Sequence, residues 1–178
     1  MGSIIAKNYG EALLNLAEEN NSLKDYKKEI HELMEVVHKN QELLRVMGFP
    51  WISKRDKKEI LRSIFNFDQY IMNFIGLLID NNRFSYIEEI CEEFIDGANE
   101  RLNIQIAEIT SAVELTRGEI KEIKRLLEKQ LGKNIEIRTI IDSSYIAGIR
   151  LKIKDKVFDN TVISKLNTIK ERVAAVAL

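Results

Sequence analysis

The chain has 178 residues, 45% of them hydrophobic and 31% charged, which is enough length and apolar content to bury a core and is not the composition of a disordered protein. Its longest apolar stretches, 74–79 and 173–178, are far shorter than the roughly 20 residues of a membrane-spanning helix, and a single cysteine excludes an internal disulfide. Residues 1–101 carry 13 basic and 18 acidic side chains and residues 102–178 carry 14 and 10, so we expect the two halves to contact different surfaces.

The first hundred residues are predicted to be helical, because their apolar residues recur every three or four positions. The apolar positions of the first helix are Ile5, Tyr9, Ala12, Leu13, Leu16 and Ala17. This helix is predicted to end near Asn20 and Asn21, since asparagine favours turns. Ser22 and Asp25 have the spacing of a capping box for a second helix, and a short third helix is predicted over 41–47.

Three further helices are predicted after Pro50, which favours a turn. Ser53 and Asp56 mark the start of a fourth helix, and Asp68 is predicted to cap a fifth. The fifth is unusually apolar, with Tyr70, Ile71, Phe74, Ile75, Leu77 and Leu78. Ser85 and Glu88 are spaced as the capping box of a sixth. Six helices with short connections predict a six-helix bundle over residues 1–103.

The pattern changes to alternation after Leu102, which predicts a strand over 104–110. A helix follows, begun by a Thr116 and Glu119 capping box and ended by Gly132. Strands over 135–141 and 149–153, a short strand over 157–159 and a final helix over 161–176 complete the chain. The order predicts a small C-terminal α/β domain over 104–178, so the expected fold class is α + α/β.

Catalytic, cofactor and metal sites are not predicted. The sequence has no glycine-rich phosphate-binding loop and no G-x-S-x-G motif. His31 and His38 are about 10 Å apart along one helix, too far to share a metal. Cys91 is expected to be a core residue, and the carboxylates over 88–93 to form a solvated helix face.

A small helical nucleic-acid-binding protein is the alternative interpretation. It would use the basic run over 54–58, with Arg150, Lys152, Lys154 and Lys156 as a second stripe. The net charge of −1 and the lack of interleaved aromatic residues weigh against it. An enzyme of another kind would need a polar pocket, which no segment of the sequence suggests.

Three segments carry a resemblance to a known family. They are Ile-Ala-Lys-Asn-Tyr-Gly-Glu-Ala-Leu over 5–13, Phe-Ile-Gly-Leu-Leu-Ile-Asp-Asn-Asn-Arg over 74–83, and Asp-Ser-Ser-Tyr-Ile-Ala-Gly-Ile-Arg-Leu-Lys-Ile over 142–153. Together they resemble the delta subunit of F-type ATP synthases, the family of the mitochondrial oligomycin-sensitivity-conferring protein. Asn8 and Gly10 depart from the family pattern, as do Ala147, where the family usually has glycine, and Thr161, where it often has serine.

The resemblance implies a non-catalytic stator subunit that links the catalytic head of the synthase to its peripheral stalk, so that ion-driven rotation is coupled to ATP synthesis or hydrolysis. It implies that the bundle binds the N-terminal helix of an alpha subunit, that the C-terminal domain binds the C-terminal ends of the b subunits, and that other subunits of the head are contacted. No cofactor and no nucleic acid are expected. No secretory signal is visible at the N-terminus, and the expected location is peripheral, on the cytoplasmic face of the bacterial cell membrane.

In this family the partner helix lies in a groove between the first and fifth helices. The positions that correspond to it here are Tyr9, Ala12, Leu13, Leu16, Phe74, Leu77, Leu78, Asn81 and Arg83. The alternative for each of them is that it only packs the bundle. For the b-subunit contact the resemblance indicates a region, residues 146–153 with the final helix.

Overall fold

The computed structural model describes residues 2–144, 148–153 and 156–159. The chain divides into two compact units, the first ending at Arg101 and the second beginning at Leu102. This is where the sequence changes from helical periodicity to alternation. The described part is mixed α and β, as predicted.

Helices make up most of the first unit. They are α1 (Gly2–Glu19), α2 (Leu23–Lys39), α3 (Gln41–Gly48), α4 (Lys54–Ile64), α5 (Gln69–Asp80) and α6 (Ile87–Arg101), with a 3₁₀ turn at Phe84–Tyr86. Five of the helices supply its largest fully buried side chains. These are Leu13, Tyr26, Ile30, Leu33, Leu61, Ile71, Ile75, Leu78, Ile87, Ile90 and Phe94. Each contributes about 1.5 to 3 kcal/mol by its removal from water, so α1, α2, α4, α5 and α6 are held by one common core.

An asparagine in the left-handed conformation lies two residues after the last residue of α1, of α5 and of α6. Asn21, Asn82 and Asn103 have φ values of 53°, 54° and 53°. Asparagine reaches this region more readily than most residues because its short side chain can bond locally. After α5, Asn82 N donates to Ile79 O at 3.1 Å and Arg83 N to Leu78 O at 2.7 Å, which is the Schellman pattern.

Three predicted helix starts are confirmed. Ser53 Oγ accepts from Asp56 N at 3.1 Å, and Asp68 Oδ1 accepts from Tyr70 N at 2.8 Å. Thr116 and Glu119 form the complete capping box of α7 (Arg117–Leu131), which ends at Gly132 with φ 63°. In each case the capping residue itself has an extended ψ, of 151°, 144° and 154° respectively, so its side chain can reach the first free N–H groups of its helix.

Two predicted capping boxes are wrong. Ser22 makes no capping hydrogen bond within the described residues, and its Oγ donates to Asn20 O at 3.0 Å instead. Its N–H donates to Ala17 O, so the end of α1 fixes its backbone at φ −116° and ψ 22° rather than in the extended region. Ser85 lies inside the 3₁₀ turn, so α6 begins after it, at Ile87.

The second unit contains a four-stranded sheet built from β1 (Ile104–Ser111), β2 (Asn134–Ile141), β3 (Ile149–Ile153) and β4 (Lys156–Asp159), in the order β2-β1-β3-β4. β1 and β2 are parallel and joined through α7, whereas β1 pairs antiparallel with β3 and β3 with β4. Leu127 of α7 packs on Ala107 and Ile135. The final helix predicted over 161–176 lies outside the described residues. None of the helices described is long and apolar enough to cross a bilayer.

Candidate functional site

Helices α1 and α5 meet at Tyr9. Its ring packs on the Phe74 ring in a T-shaped arrangement, with centroids 6.2 Å apart and an interplanar angle of 70°. The Asn81 side chain donates from Nδ2 to the Tyr9 hydroxyl over 3.1 Å. Tyr9, Phe74 and Asn81 therefore lie together, although Tyr9 and Asn81 are 72 positions apart in the sequence. The resemblance assigned all three to the groove.

The α1 side of this contact continues along one row. Tyr9, Ala12 and Leu16 are spaced i, i+3 and i+7, so they lie on one face of the helix. Tyr9 and Leu16 are half-buried and Ala12 is exposed. The row therefore offers apolar surface to a second helix, and the methyl group of Ala12 leaves room for its backbone to approach.

The α5 side has a matching row of Phe74, Leu77 and Asn81 at the same spacing. Leu77 is 48% exposed although it lies in the most apolar of the described helices. Tyr70, 50% exposed, stands four positions before Phe74 and extends this row. Tyr70 is among the apolar residues predicted for the fifth helix but not among those predicted for the groove. The spacing 70, 74, 77, 81 is the signal that would have found it.

The remaining predicted residues divide between core and surface. Leu13 and Leu78 are 1% and 0% exposed and belong to the common core, where they support the groove from beneath. Phe74 is 8% exposed and packs against the Tyr9 ring. Arg83 is exposed and is the last residue of the Schellman turn. The side chains directly available to a partner are thus the exposed ones of Ala12, Tyr70, Leu77, Asn81 and Arg83, with part of Tyr9 and Leu16.

Two lysines of α4 contact the C-terminal end of α5. Lys58 Nζ lies 2.6 Å from Asp80 Oδ2, and Lys54 Nζ donates to the Asp80 carbonyl oxygen. Asp80 is the last residue of α5 and directly precedes Asn81. The two lysines therefore bind the residue directly before Asn81, whose side chain joins α5 to Tyr9.

The basic run over 54–58 does not form a continuous charged surface. Lys57 is buried, Arg55 pairs with Glu59 at 3.1 Å, and Lys58 pairs with Asp80. Much of the charge on which the nucleic-acid alternative depended is thus neutralised within the chain.

The other titratable candidates lie on the surface or in the core. His31 Nε2 is 3.6 Å from Glu35, and His38 Nδ1 is 4.0 Å from Glu88. Cys91 is buried, and desolvation, with the charges of Glu88 and Glu92, raises the pKa of its thiol to about 12. Within residues 2–144, 148–153 and 156–159, no three His, Cys, Asp or Glu side chains are grouped so as to hold a metal.

In the second unit the expected contact region, 146–153, is described only from Gly148. Apolar side chains are exposed at the end of β2 and on β4, where Ile140, Ile141 and Val157 are 44%, 59% and 45% exposed. Residues 146 and 147 and the final helix lie outside the described part.

Comparison with known proteins gives consistent matches over nearly the whole chain. The family model for the ATP synthase delta (OSCP) subunit matches residues 5–173. The ATP synthase subunit delta of Clostridium perfringens strain SM101 is 34% identical over 173 residues, which are 96% of this chain and 97% of that protein. The protein of the same name from Lachnoclostridium phytofermentans is 33% identical and is aligned over 100% of both chains.

A solved structure shows the same fold. One chain in the cryo-EM structure of the Toxoplasma gondii mitochondrial ATP synthase hexamer matches with a TM-score of 0.68 and 17% sequence identity. The match covers 95% of this chain and 97% of that chain.

Proposed function

The chain belongs to the ATP synthase delta (OSCP) subunit family, and we propose the contacts through which it works. The resemblance seen in three segments of the sequence is confirmed. The protein is a non-catalytic stator subunit of the F-type ATP synthase, peripheral to the membrane as part of that complex. The finer proposals are that residues 1–103 act as a six-helix bundle that binds an alpha subunit, and that residues 104–178 bind the peripheral stalk on the cytoplasmic face of the membrane.

The task of a stator defines what such a protein must do physically. Rotation of the central shaft exerts torque on the catalytic head, and without a second connection the head would turn with the shaft. The connecting subunit must therefore bind the head and the stalk at two separate sites and hold both under load. A division into two units, each with its own hydrophobic core, provides two such surfaces.

The proposed head contact is the α1–α5 groove, occupied by the amphipathic N-terminal helix of an alpha subunit. The observation that carries it is the meeting of Tyr9, Phe74 and Asn81, flanked by exposed Ala12 and Leu77. An apolar helix face laid into a hydrophobic groove is a common mode of peptide recognition. Covering an apolar side chain fully contributes about 1.5 to 3 kcal/mol, and partly exposed ones contribute less.

The proposed stalk contact is in the second unit, with the C-terminal ends of the b subunits as partner. The exposed Ile140 and Ile141, adjacent at the end of the edge strand β2, support it, because neighbouring exposed apolar side chains favour an interaction site. Val157 is exposed on β4, at the opposite edge of the sheet. Residues 146–153 and the final helix stay the expected region.

A bulky residue at Ala12 tests the head contact. In Ala12→Trp the indole should occupy the space of the partner helix and weaken binding of a synthetic alpha-subunit N-terminal peptide at least tenfold. Because Ala12 is exposed, the stability of the bundle should change little. The peptide affinity is measured by calorimetry and the fold by circular dichroism.

The matched control is Glu11→Trp. Glu11 is also exposed on α1, but it lies about 100° around the helix from Ala12 and lines a groove with α6 side chains such as Glu93. It should bind the peptide as the unmodified protein does. Equal affinity of Ala12→Trp and the unmodified protein would refute the groove assignment.

A further inference from the structure

Helix α5 ends in a residue that is unfavourable at that position. The carbonyl groups of a helix C-terminus carry partial negative charge, which disfavours a carboxylate there and favours a cation. The last turn of α5 contains Asp80 and no basic residue. The helix that forms one side of the groove therefore lacks a stabilising cation of its own.

Helix α4 supplies the missing cations. Lys54 Nζ donates to the Asp80 carbonyl, one of the last carbonyl oxygens of α5, and Lys58 Nζ lies 2.6 Å from the Asp80 carboxylate. The two lysines are spaced i, i+4, so they lie on the same face of α4. We call Lys54, Lys58 and Asp80 the lysine clamp.

Gly76 gives the Lys58 side chain its path across α5. A Cβ at residue 76 would lie 3.5 Å from Lys58 Cε, so a side chain longer than that of alanine would meet the lysine stem. The Lys58 side chain is 29% exposed and that of Asp80 48%, so the pair is partly shielded from water. It is more constrained than a fully exposed surface pair.

The residue after Asp80 is Asn81, whose amide donates to the Tyr9 hydroxyl at 3.1 Å. The clamp and the groove contact thus hold consecutive residues of one turn. Resting on the function proposed above, we propose that Lys54 and Lys58 are positioning residues: by fixing Asp80 they place the Asn81 amide against Tyr9 and so set the α5 edge of the alpha-subunit groove.

Peptide affinity should consequently depend on lysines that do not touch the peptide. Partly exposed ion pairs contribute modestly, so we expect Lys58→Gln and Asp80→Asn each to weaken the alpha-subunit peptide about two- to fivefold. In full-length Lys58→Gln, whose changed residue lies on α4 and not beside Asn81 in the chain, the side-chain amide signal of Asn81 should move in ¹⁵N–¹H spectra recorded without peptide. A lysine of purely structural importance would not shift that signal at unchanged fold.

The control is Arg62→Gln. Arg62 is exposed and lines the same surface depression as Lys54, Lys58 and Asp80, which is separate from the α1–α5 groove. Its replacement lowers the local positive charge by one and leaves the clamp intact. It should leave both the peptide affinity and the Asn81 signal unchanged. The direct alternative, in which the lysines bind the peptide themselves, makes a different prediction: Asp80→Asn would free them and strengthen binding, and that result would overturn the proposal.

A double-mutant cycle with Tyr9→Phe closes the test. When the hydroxyl is absent, Asn81 has lost its acceptor, so Lys58→Gln should reduce affinity no further. Equal losses from Lys58→Gln in both backgrounds would contradict the positioning role. If neither the unmodified protein nor any variant binds the peptide, the head contact itself is refuted. The movement of the Asn81 signal would then still decide whether the lysine clamp positions the Asn81 amide.

Discussion

Gly10 lies where α1 packs tightly against the backbone of α6. A Cβ at this residue would lie 2.9 Å from Glu93 Cβ and 3.3 Å from the backbone nitrogen of Phe94. Both atoms are close to the main chain and cannot move aside as the end of a long side chain could. Gly10 is one of two positions where the opening segment departs from its family pattern, and this contact gives the departure a physical reason.

Gly10→Ala is therefore expected to destabilise the first unit. In an open helix position the change would stabilise by up to about 1 kcal/mol, but overpacking costs about 1 to 3 kcal/mol and should outweigh it. Gly48→Ala is the matched control, because a Cβ there would meet no described atom within 4 Å. Urea unfolding should show a lower midpoint for Gly10→Ala alone; equal midpoints for the two variants would show that the helices separate without cost.

At the scale of single elements, the sequence predicted what local spacing determines. The caps at Ser53, Asp68 and Thr116 follow from residues two or three positions apart, and they form as expected. The failures at Ser22 and Ser85 have another origin, because the backbone there is set by what precedes it: the end of α1 in one case and the 3₁₀ turn in the other. A capping spacing does not report whether its first residue is free to be extended.

Thr116→Ala tests the capping box of α7. Glu119 accepts hydrogen bonds from the Thr116 hydroxyl at 2.7 Å and from its N–H at 2.8 Å, and these hold the pKa of Glu119 below its ordinary value. Loss of the cap should cost about 1 kcal/mol of helix stability at neutral pH. A lowered pKa stabilises the fold only while the carboxylate is ionised. The difference in stability between Thr116→Ala and the unmodified protein should therefore shrink as the pH falls below the ordinary pKa of a glutamate.

Hydrogen exchange of the α7 amides measures this cost, and Ser85→Ala is the control. Ser85 has the same capping spacing in the sequence but lies inside the 3₁₀ turn, so its replacement should leave exchange in α6 nearly unchanged. An equal acceleration in both variants would show that sequence spacing, and not the observed geometry, determines stability at these positions.

At the scale of the whole molecule, the order of elements could be predicted and the groove could not. Periodicity separates helices from strands along the chain, but Tyr9 and Asn81 are 72 positions apart and nothing local brings them together. Periodicity also did not separate Leu77 from Leu78, which are adjacent and chemically identical, yet one is 48% exposed and the other 0%. The groove is predicted from the family resemblance, and the structure adds which of its predicted residues are exposed.

The most direct test of the proposed head contact is calorimetric titration of the full chain, and of its 1–101 fragment, with a peptide of the alpha-subunit N-terminus from the same organism. Because every residue of the proposed groove lies before Arg101, the fragment and the full chain should each bind the peptide in a 1:1 complex and with equal affinity. Residues 102–178 alone should not bind it. Absence of binding by both fragment and full chain, or binding by residues 102–178, would contradict the assignment of the first unit as the anchor to the catalytic head.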